Sequence, residues 1–378
     1  MSLSVLLAGG GSAGHVSPML ALADCLVRRD PATRITCLGT AEGLEARLVP
    51  ERGYRFLTIP KVPMPRRPGP DLGRLPPRLR AAVRAAGEAV AAAEADVVVG
   101  FGGYVCPPAY LAARRRRVPI VIHEQNPLPG LANRLGARLT PYVAVTFPGT
   151  PLPHAVRTGM PLRREISALA EVERGSARAL GARERLGLRA DLTTLLVTGG
   201  SLGAQRLNET FGAAAGDLHA AGVQVLHASG AGKDVPLPPK AADDPPYVVT
   251  PYLDHIEEAY AAADLVVCRA GANTVLEVTT AGLPAVYVPL PVGNGEQRLN
   301  AEPVVAAGGG LLVDDAAATP AWVAAELVPL LHDRDRLGRM AAAARALGSP
   351  HGDERLADLV EAAAQGRPVP ASLRGEDG

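Results

Sequence analysis

Aromatic residues are scarce, at 3% of 378 residues, so aliphatic side chains must build the core. Cysteine is scarce too: the four thiols, at 25, 37, 106 and 268, fit neither metal-ligand spacing nor a disulfide framework. Buried free thiols are expected. The N-terminus lacks a basic segment followed by a long apolar stretch, because Gly9 to Gly11 end the first apolar run within a few residues. No secretory leader is read there, and a cytoplasmic protein is expected. The long uncharged stretches, 97–113, 139–156 and 278–295, are each interrupted by proline and glycine. That argues against a membrane-spanning helix. A global charge excess is missing as well, with 39 Lys and Arg against 38 Asp and Glu.

Hydrophobic residues make up 47% and charged residues 20%, a globular composition, and the length suggests two domains. Short apolar runs alternate with helical patterns from the start: "SVLLA" (4–8), "PMLALADCLVRR" (18–29), "RITCLG" (34–39). Strands are also expected in "DVVVGF" (96–101), "PIVIHE" (119–124) and "YVAVTF" (142–147), with an alanine-rich helix over 79–95. The alternation restarts after a charged stretch at 163–191, with strands in 193–198, 223–230, 247–253, 264–269 and 284–290. This predicts an α/β chain with two Rossmann-like, doubly wound parallel sheets.

Each half opens with a strand and a glycine turn: "LLAGGGSAGHVSP" (6–18) and "TTLLVTGGSLGAQ" (193–205). Glycines 9, 11 and 14 read as G-x-G-x-x-G, which fits a tight strand-to-helix turn or a dinucleotide fingerprint. A dinucleotide site also needs an acidic residue ending the second strand. Gly39 and Thr40 stand there, with Glu42 three residues too late, so that reading ranks low. Two such turns on facing edges of a cleft would suit a phosphorylated ligand, since helix N-termini attract anions.

Six stretches in order along the chain carry a more specific resemblance: "AGGGSAGHVSP", "GFGGYVCPPAYLAA", "HEQNPLPGLANRLGAR", "GMPLRREI", "TGGSLGAQRLNE" and "CRAGANTVLEVTTAGLPAVYVPLPVGNGEQRLNA". They resemble the N-acetylglucosaminyltransferase family (MurG), which uses UDP-N-acetylglucosamine and lipid I to make the disaccharide unit of peptidoglycan. The resemblance implies a GT-B fold and an inverting transfer without metal or cofactor. It also implies an acceptor- and membrane-binding domain over 1–163 and a donor-binding domain over 164–349. A C-terminal helix at about 350–366 is then expected to cross back onto the first domain, and hinge closure to bring acceptor to donor. The enzyme would sit peripherally on the cytoplasmic face of the cell membrane.

An inverting transfer needs a base for the attacking hydroxyl and stabilisation of the departing UDP. His15, directly after the first glycine turn, is the candidate base or a diphosphate contact. Glu124, ending the strand in "HEQN", is a second candidate base. By resemblance Gly11, Tyr104, Asn126 and Asn133 belong to the acceptor side. Ser12 and Gly14, Arg163 at the hinge and Ser201 on the second glycine turn belong to the donor side, and Leu253 or its neighbour contacts uracil. Gly271, Ala272 and Asn273 open a helix suited to the diphosphate, with Asn273 or Thr274 as a possible cap. Arg269 is expected to add charge-assisted bonds to phosphate. Glu277, one turn beyond Asn273, is implied to accept from the ribose hydroxyls, and Glu296, Gln297 and Asn300 to meet the donor sugar. Three positions depart from the family pattern: Ser12 for threonine, Leu202 for glutamine in "GGSQG", and Glu296 for a second glutamine. "DRD" (333–335) matches Asp-x-Asp but reads as a helix face or break, so no metal is expected.

From Lys61 to Val90 seven basic residues stand against two acidic ones, interleaved with Val62, Met64, Leu72, Leu75 and Leu79, and "RRRR" (114–117) adds four charges. This suits an anionic membrane surface with leucines entering the interface. No nucleic-acid motif accompanies the charge, and no nucleic-acid partner is expected. A paralogue with another lipid or natural-product acceptor is the near alternative. A UDP-N-acetylglucosamine 2-epimerase shares the architecture but its characteristic motifs are missing, and a non-catalytic nucleotide-sugar sensor leaves His15 without a task.

Overall fold

The computed structural model describes residues 2–62, 70–173, 175–200, 203–239, 241, 243–292 and 294–374. They form two compact units, one of residues 1–163 with 351–378 and one of residues 164–350. The first unit runs β1 (Ser4–Ala8), α1 (Ala13–Arg29), β2 (Arg34–Gly39), α2 (Glu45–Glu51), β3 (Arg55–Thr58), α3 (Pro70–Ala92), β4 (Val97–Gly100), α4 (Cys106–Arg116), β5 (Ile120–Glu124), α5 (Leu131–Gly136), β6 (Tyr142–Val145) and β7 (Ala155–Arg157). The second runs α6 (Arg164–Ser167), α7 (Ala177–Arg185), β8 (Thr193–Thr198), α8 (Gln205–Ala213), α9 (Ala215–Ala220), β9 (Val223–Ala228), β10 (Tyr247–Thr250), α10 (Ile256–Ala262), β11 (Leu265–Cys268), α11 (Ala272–Thr280), β12 (Ala285–Tyr287), α12 (Glu296–Ala306), β13 (Gly310–Leu312), α13 (Pro320–Trp322), α14 (Val328–His332) and α15 (Arg334–Ala346). The last helix, α16 (Gly352–Ala364), belongs to the first unit.

Both sheets are parallel throughout, in the orders β3-β2-β1-β4-β5-β6-β7 and β10-β9-β8-β11-β12-β13. Alternation along β1 explains the layering. Val5 and Leu7 join the core shared with α1 and α16, while Leu6 and Ala8 join the core under α3 and α4. Each such fully buried aliphatic side chain contributes about 1.5–3 kcal/mol. α16 adds Leu356, Leu359 and Val360 to the α1 side. Its acidic first turns are held by Arg28 to Asp353 at 2.9 Å and Arg29 to Asp358 at 2.7 Å. Gly352 has no room for a side chain, because a Cβ would lie 2.2 Å from the Met160 carbonyl oxygen.

Strand order reverses between β1 and β4 in the first unit and between β8 and β11 in the second. Open parallel sheets bind ligands at the carboxyl ends of their strands beside that switch point. The loop residues placed there are 9–12 and 101–105, and 199–200, 203–204 and 269–271. The glycine turns read from the sequence occupy these places.

Candidate active site

In the first unit the turn after β1 folds around a buried carboxylate. Glu45, the first residue of α2, is fully inaccessible. Its Oε2 accepts the Gly11 N–H at 3.0 Å, and its Oε1 accepts both the N–H and the hydroxyl of Thr40 at 2.9 Å. Gly11 adopts φ +86°, a conformation that suits glycine. Sequence reasoning passed over Glu45 and weighed only Glu42. The missed signal was the glycine spacing around it, since a Cβ on Gly10, Gly39 or Gly43 would come within 2.3 Å of its side chain.

His15 lies in the first turn of α1, half-buried. Its Nδ1 is 3.0 Å from the Gly10 carbonyl oxygen and 3.1 Å from Ser12 Oγ. A carbonyl only accepts, so Nδ1 carries the proton and Nε2 keeps its lone pair in the neutral ring. Desolvation lowers the His15 pKa, against the opposing pulls of the Gly10 hydrogen bond and the Glu45 charge. The loop after β4 makes room for this ring: a Cβ on Gly102 would lie 2.8 Å from Nε2, and one on Gly103 would lie 2.6 Å from the Gly10 oxygen. Ser12 is the N-cap of α1, with no side-chain cap bond, and Gly14 lies within the first turn. Tyr104 is exposed, with Lys61 Nζ 6.0 Å from its ring centroid.

Beside this loop, the end of β5 is organised by Glu124. Its carboxylate accepts from the Asn126 N–H at 2.9 Å, the Gly130 N–H at 3.0 Å and Asn133 Nδ2 at 3.0 Å. Burial pushes its pKa up while these donors pull it down. Asn133 is itself buried and spoken for at both ends, donating also to the His123 carbonyl and accepting from the Tyr110 hydroxyl. Glu124 and Asn133 are thus bonded to the 125–130 loop and to each other, and both carboxylate oxygens of Glu124 accept a donor. Asn126 stands half-buried on that loop.

In the second unit Gly203 is required in the turn after β8, because at φ +65° a Cβ would lie 2.1 Å from the Ser229 carbonyl oxygen. Ser201 and Leu202 lie outside the described residues. The N-cap of α11 is Gly271, and Asn273 and Thr274 lie within its first turn. The N-cap glycine brings no side chain of its own, and the N-terminus of a helix suits an anion. Glu277, one turn in, accepts the Tyr260 hydroxyl at 2.9 Å. Gln297 Oε1 bridges the N–H groups of Ala270 and Leu290 at 3.2 and 2.9 Å, which leaves its amide nitrogen as the donor end. Glu296 opens α12 beside it, and Leu253 follows β10 in a loop. Arg163 ends the first unit, half-buried.

Two of the expected donor contacts have internal partners in the structure. Arg269 is buried, its Nη1 donating to the carbonyls of Val288 and Pro289 and lying 2.6 Å from Asp315. Asp315 in turn lies 3.6 Å from Arg206 Nε. Arg269 thus ties β11 to the segments after β12 and β13, where phosphate was expected. Asn300 is also buried and donates to the Ala270 carbonyl, bracing the 269–271 loop where a sugar contact was expected.

Residues 5–145 match the glycosyltransferase family 28 N-terminal domain and residues 194–356 its C-terminal domain. The chain belongs to glycosyltransferase family 28. This family 28 chain is 56% identical over 377 residues to a protein of Frankia casuarinae, covering 97% of each. It is 57% identical over 360 residues to one of Nocardioides sp., covering 95% of this chain and 97% of that protein. Both relatives are named UDP-N-acetylglucosamine--N-acetylmuramyl-(pentapeptide) pyrophosphoryl-undecaprenol N-acetylglucosamine transferase. The crystal structure of Acinetobacter baumannii MurG superposes with a TM-score of 0.75 at 30% identity, covering 95% of this chain and 99% of that one.

Among the described residues no three His, Cys, Asp or Glu side chains are grouped as metal ligands. Asp333 of "DRD" caps α15 by accepting the Arg336 N–H at 2.9 Å. The basic segment divides. Arg78, Arg80 and Arg84 on α3 and Arg114 to Arg117 at the end of α4 are exposed, and α3 packs along α4. Val62 is buried and Leu79 packs on the core, so they do not form the expected apolar interface. Met64, Arg66 and Arg67 lie outside the described residues, as do the side chains of Leu72, Arg74 and Leu75. Among the described residues of this unit, the large apolar side chains that reach solvent are Tyr104 and, on or beside α5, Leu128, Leu131 and Leu135. Among the described residues no helix is long and apolar enough to cross a membrane.

Proposed function

We propose that this family 28 enzyme transfers N-acetylglucosamine from UDP-N-acetylglucosamine to the 4-hydroxyl of the muramyl sugar of lipid I, with inversion, giving lipid II for peptidoglycan. Full-length identity of 56–57% to transferases named for these substrates supports the substrate pair. The chemistry is carried by one observation: a neutral His15 whose proton is held on Nδ1 by the Gly10 carbonyl, with Nε2 left to act as base.

His15 Nε2 takes the proton of the attacking hydroxyl. The new bond forms at the anomeric carbon while the bond to the UDP oxygen breaks, and the electron pair leaves with UDP. The leaving charge is met by the N-terminus of α11 at Gly271, Ala272 and Asn273 and by the second glycine turn with Ser201. Glu277 accepts from the ribose, Leu253 lines the uracil, and Glu296 and Gln297 meet the donor sugar. Ser12, Gly14 and Arg163 complete the donor side. Gly11, Tyr104 and Asn126 receive the acceptor, on a loop that Glu124 and Asn133 hold in shape. The exposed arginines of α3 and α4 would rest on anionic headgroups, placing the enzyme peripherally at the cytoplasmic face of the membrane.

The test is transfer of radiolabel from UDP-N-acetylglucosamine to a short-chain lipid I analogue, with and without a chelator. Label is expected in the lipid in both arms. Binding of UDP-N-acetylglucosamine with no movement of label would overturn the acceptor assignment.

A further inference from the structure

We infer that Glu45 is the anionic end of a hydrogen-bonded relay to His15, with the single peptide group between Gly10 and Gly11 standing between carboxylate and imidazole. The inference rests on the proposed role of His15 as base. The carbonyl that accepts from His15 Nδ1, at 3.0 Å, belongs to Gly10. The N–H that donates to Glu45 Oε2, also at 3.0 Å, belongs to Gly11. These two groups are the opposite ends of one planar, conjugated amide. A carboxylate drawing on the N–H pushes electron density toward the carbonyl oxygen, because hydrogen bonds in a chain polarise one another. The carbonyl then becomes a better acceptor for Nδ1–H, most of all when Nε2 gains a proton and the ring turns cationic. In hydrolase triads a carboxylate performs this task by bonding the imidazole directly; here an amide is interposed.

The arrangement is built. A fully buried carboxylate is costly unless its lone pairs are filled, and Glu45 has three donors but, among the described residues, no cationic partner. Gly10, Gly39 and Gly43 leave it the space it occupies, and Gly103 leaves the Gly10 oxygen uncovered by a side chain. Glu45 on α2 is the charged group that acts on the His15 ring. The other close neighbours of the ring, Ser12 Oγ, the Gly10 oxygen and the Gly102 backbone, are uncharged.

The experiment follows the His15 ring by nitrogen-15 NMR in the full-length protein, alongside kcat against pH. In wild type the Nδ1–H tautomer is expected, and the Gly11 amide proton shifts as His15 titrates. In Glu45→Gln the His15 titration moves to lower pH. The acidic limb of kcat moves with it, and kcat falls roughly ten-fold, a part of the 10²–10⁴ a positioned base supplies. Glu45→Asp, which keeps the charge, recovers part of both. In a His15→Ala background Glu45→Gln changes kcat by less than about two-fold, since the two act as one unit. An unmoved His15 titration in Glu45→Gln, or an equal loss of kcat in both backgrounds, overturns the relay. Should Glu45→Gln not fold, a Gly11 amide that stays still while wild-type His15 titrates overturns it. If His15→Ala alone leaves kcat intact, the base reading falls, whereas the NMR titration still decides the coupling.

Discussion

The two glycine turns share a plan of strand, loop and helix beside a switch point, and differ in what fills them. In the first, the Gly11 N–H is already taken by the Glu45 carboxylate, an internal anion where a phosphate oxygen would otherwise be bound. The second unit offers α11 with a glycine at its N-cap, and the turn after β8 is held by backbone bonds, by Thr198 Oγ1 accepting the Gly200 N–H at 3.2 Å and by Lys233 donating to the Gly203 carbonyl. One turn is thus loaded with a carboxylate and a histidine, which suits proton transfer. The other half leaves backbone donors for a ligand, which suits a diphosphate. A glycine pattern alone does not distinguish the two; the side chain that fills the turn does.

The sharpest way to break this contrast is to remove the loaded side. His15→Ala is expected to lower kcat by about 10²–10⁴-fold with little change in the KM for UDP-N-acetylglucosamine. Steady-state kinetics checks this, and near-wild-type turnover would leave the first turn without a chemical role. On the unloaded side the loss should move from kcat to KM. Glu277→Ala removes a carboxylate proposed to bond the ribose, and hydrogen bonds to charged groups contribute about 1.5–3 kcal/mol. The KM for the donor should rise by roughly 10–150-fold with a smaller change in kcat. A fall in kcat alone would contradict the division of labour.

Much of this was legible beforehand. The parallel alternation and the two turns followed from apolar runs of four to eight residues punctuated by glycine, and β1, β2 and β8 fall where the sequence puts them. Short edge strands were not: β3, β7 and β13 have three or four residues each, too few for periodicity to register. The start of α3 was also missed: the helix expected over 79–95 begins at Pro70 and carries Pro76 and Pro77, residues that disfavour a helix interior. At the site, His15 and Gly271 could be read because a glycine turn announces them. Glu45 could not, since its role depends on three glycines from two segments converging on one side chain. Arg269 shows the converse: an arginine beside a helix N-terminus reads as a phosphate ligand, and only the fold brings Asp315, forty-six positions on, beside it.

Acid should strain both units alike. His123 in the first and His227 in the second are buried, and desolvation lowers each from 6.5 to about 4. The folded state therefore disfavours their protonation relative to the unfolded chain. Their contribution is present above pH 6.5 and is lost as pH falls from there toward about 4. A shift of this size is worth up to about 3 kcal/mol per histidine. Thermal melts at pH 7 and pH 5 should show a clear fall in Tm, and replacing either histidine should flatten the dependence in part. A Tm independent of pH over this range would contradict the burial of both rings.

The finest test concerns a hydroxyl that reaches a proposed ligand contact from behind. Tyr260 is buried and its hydroxyl donates to Glu277 Oε2 at 2.9 Å. If Glu277 binds ribose, this bond fixes the rotamer in which it does so, and losing it frees the carboxylate to wander in the ground state. A single such bond is worth about 1 kcal/mol, so Tyr260→Phe should raise the donor KM roughly five-fold and leave kcat and His15 unaffected. The effect must vanish in a Glu277→Ala background, because the hydroxyl then has no carboxylate to orient. An equal rise in both backgrounds would make Tyr260 a packing residue of α10. The second unit would then lose this counterpart to the support proposed for Glu45 in the first.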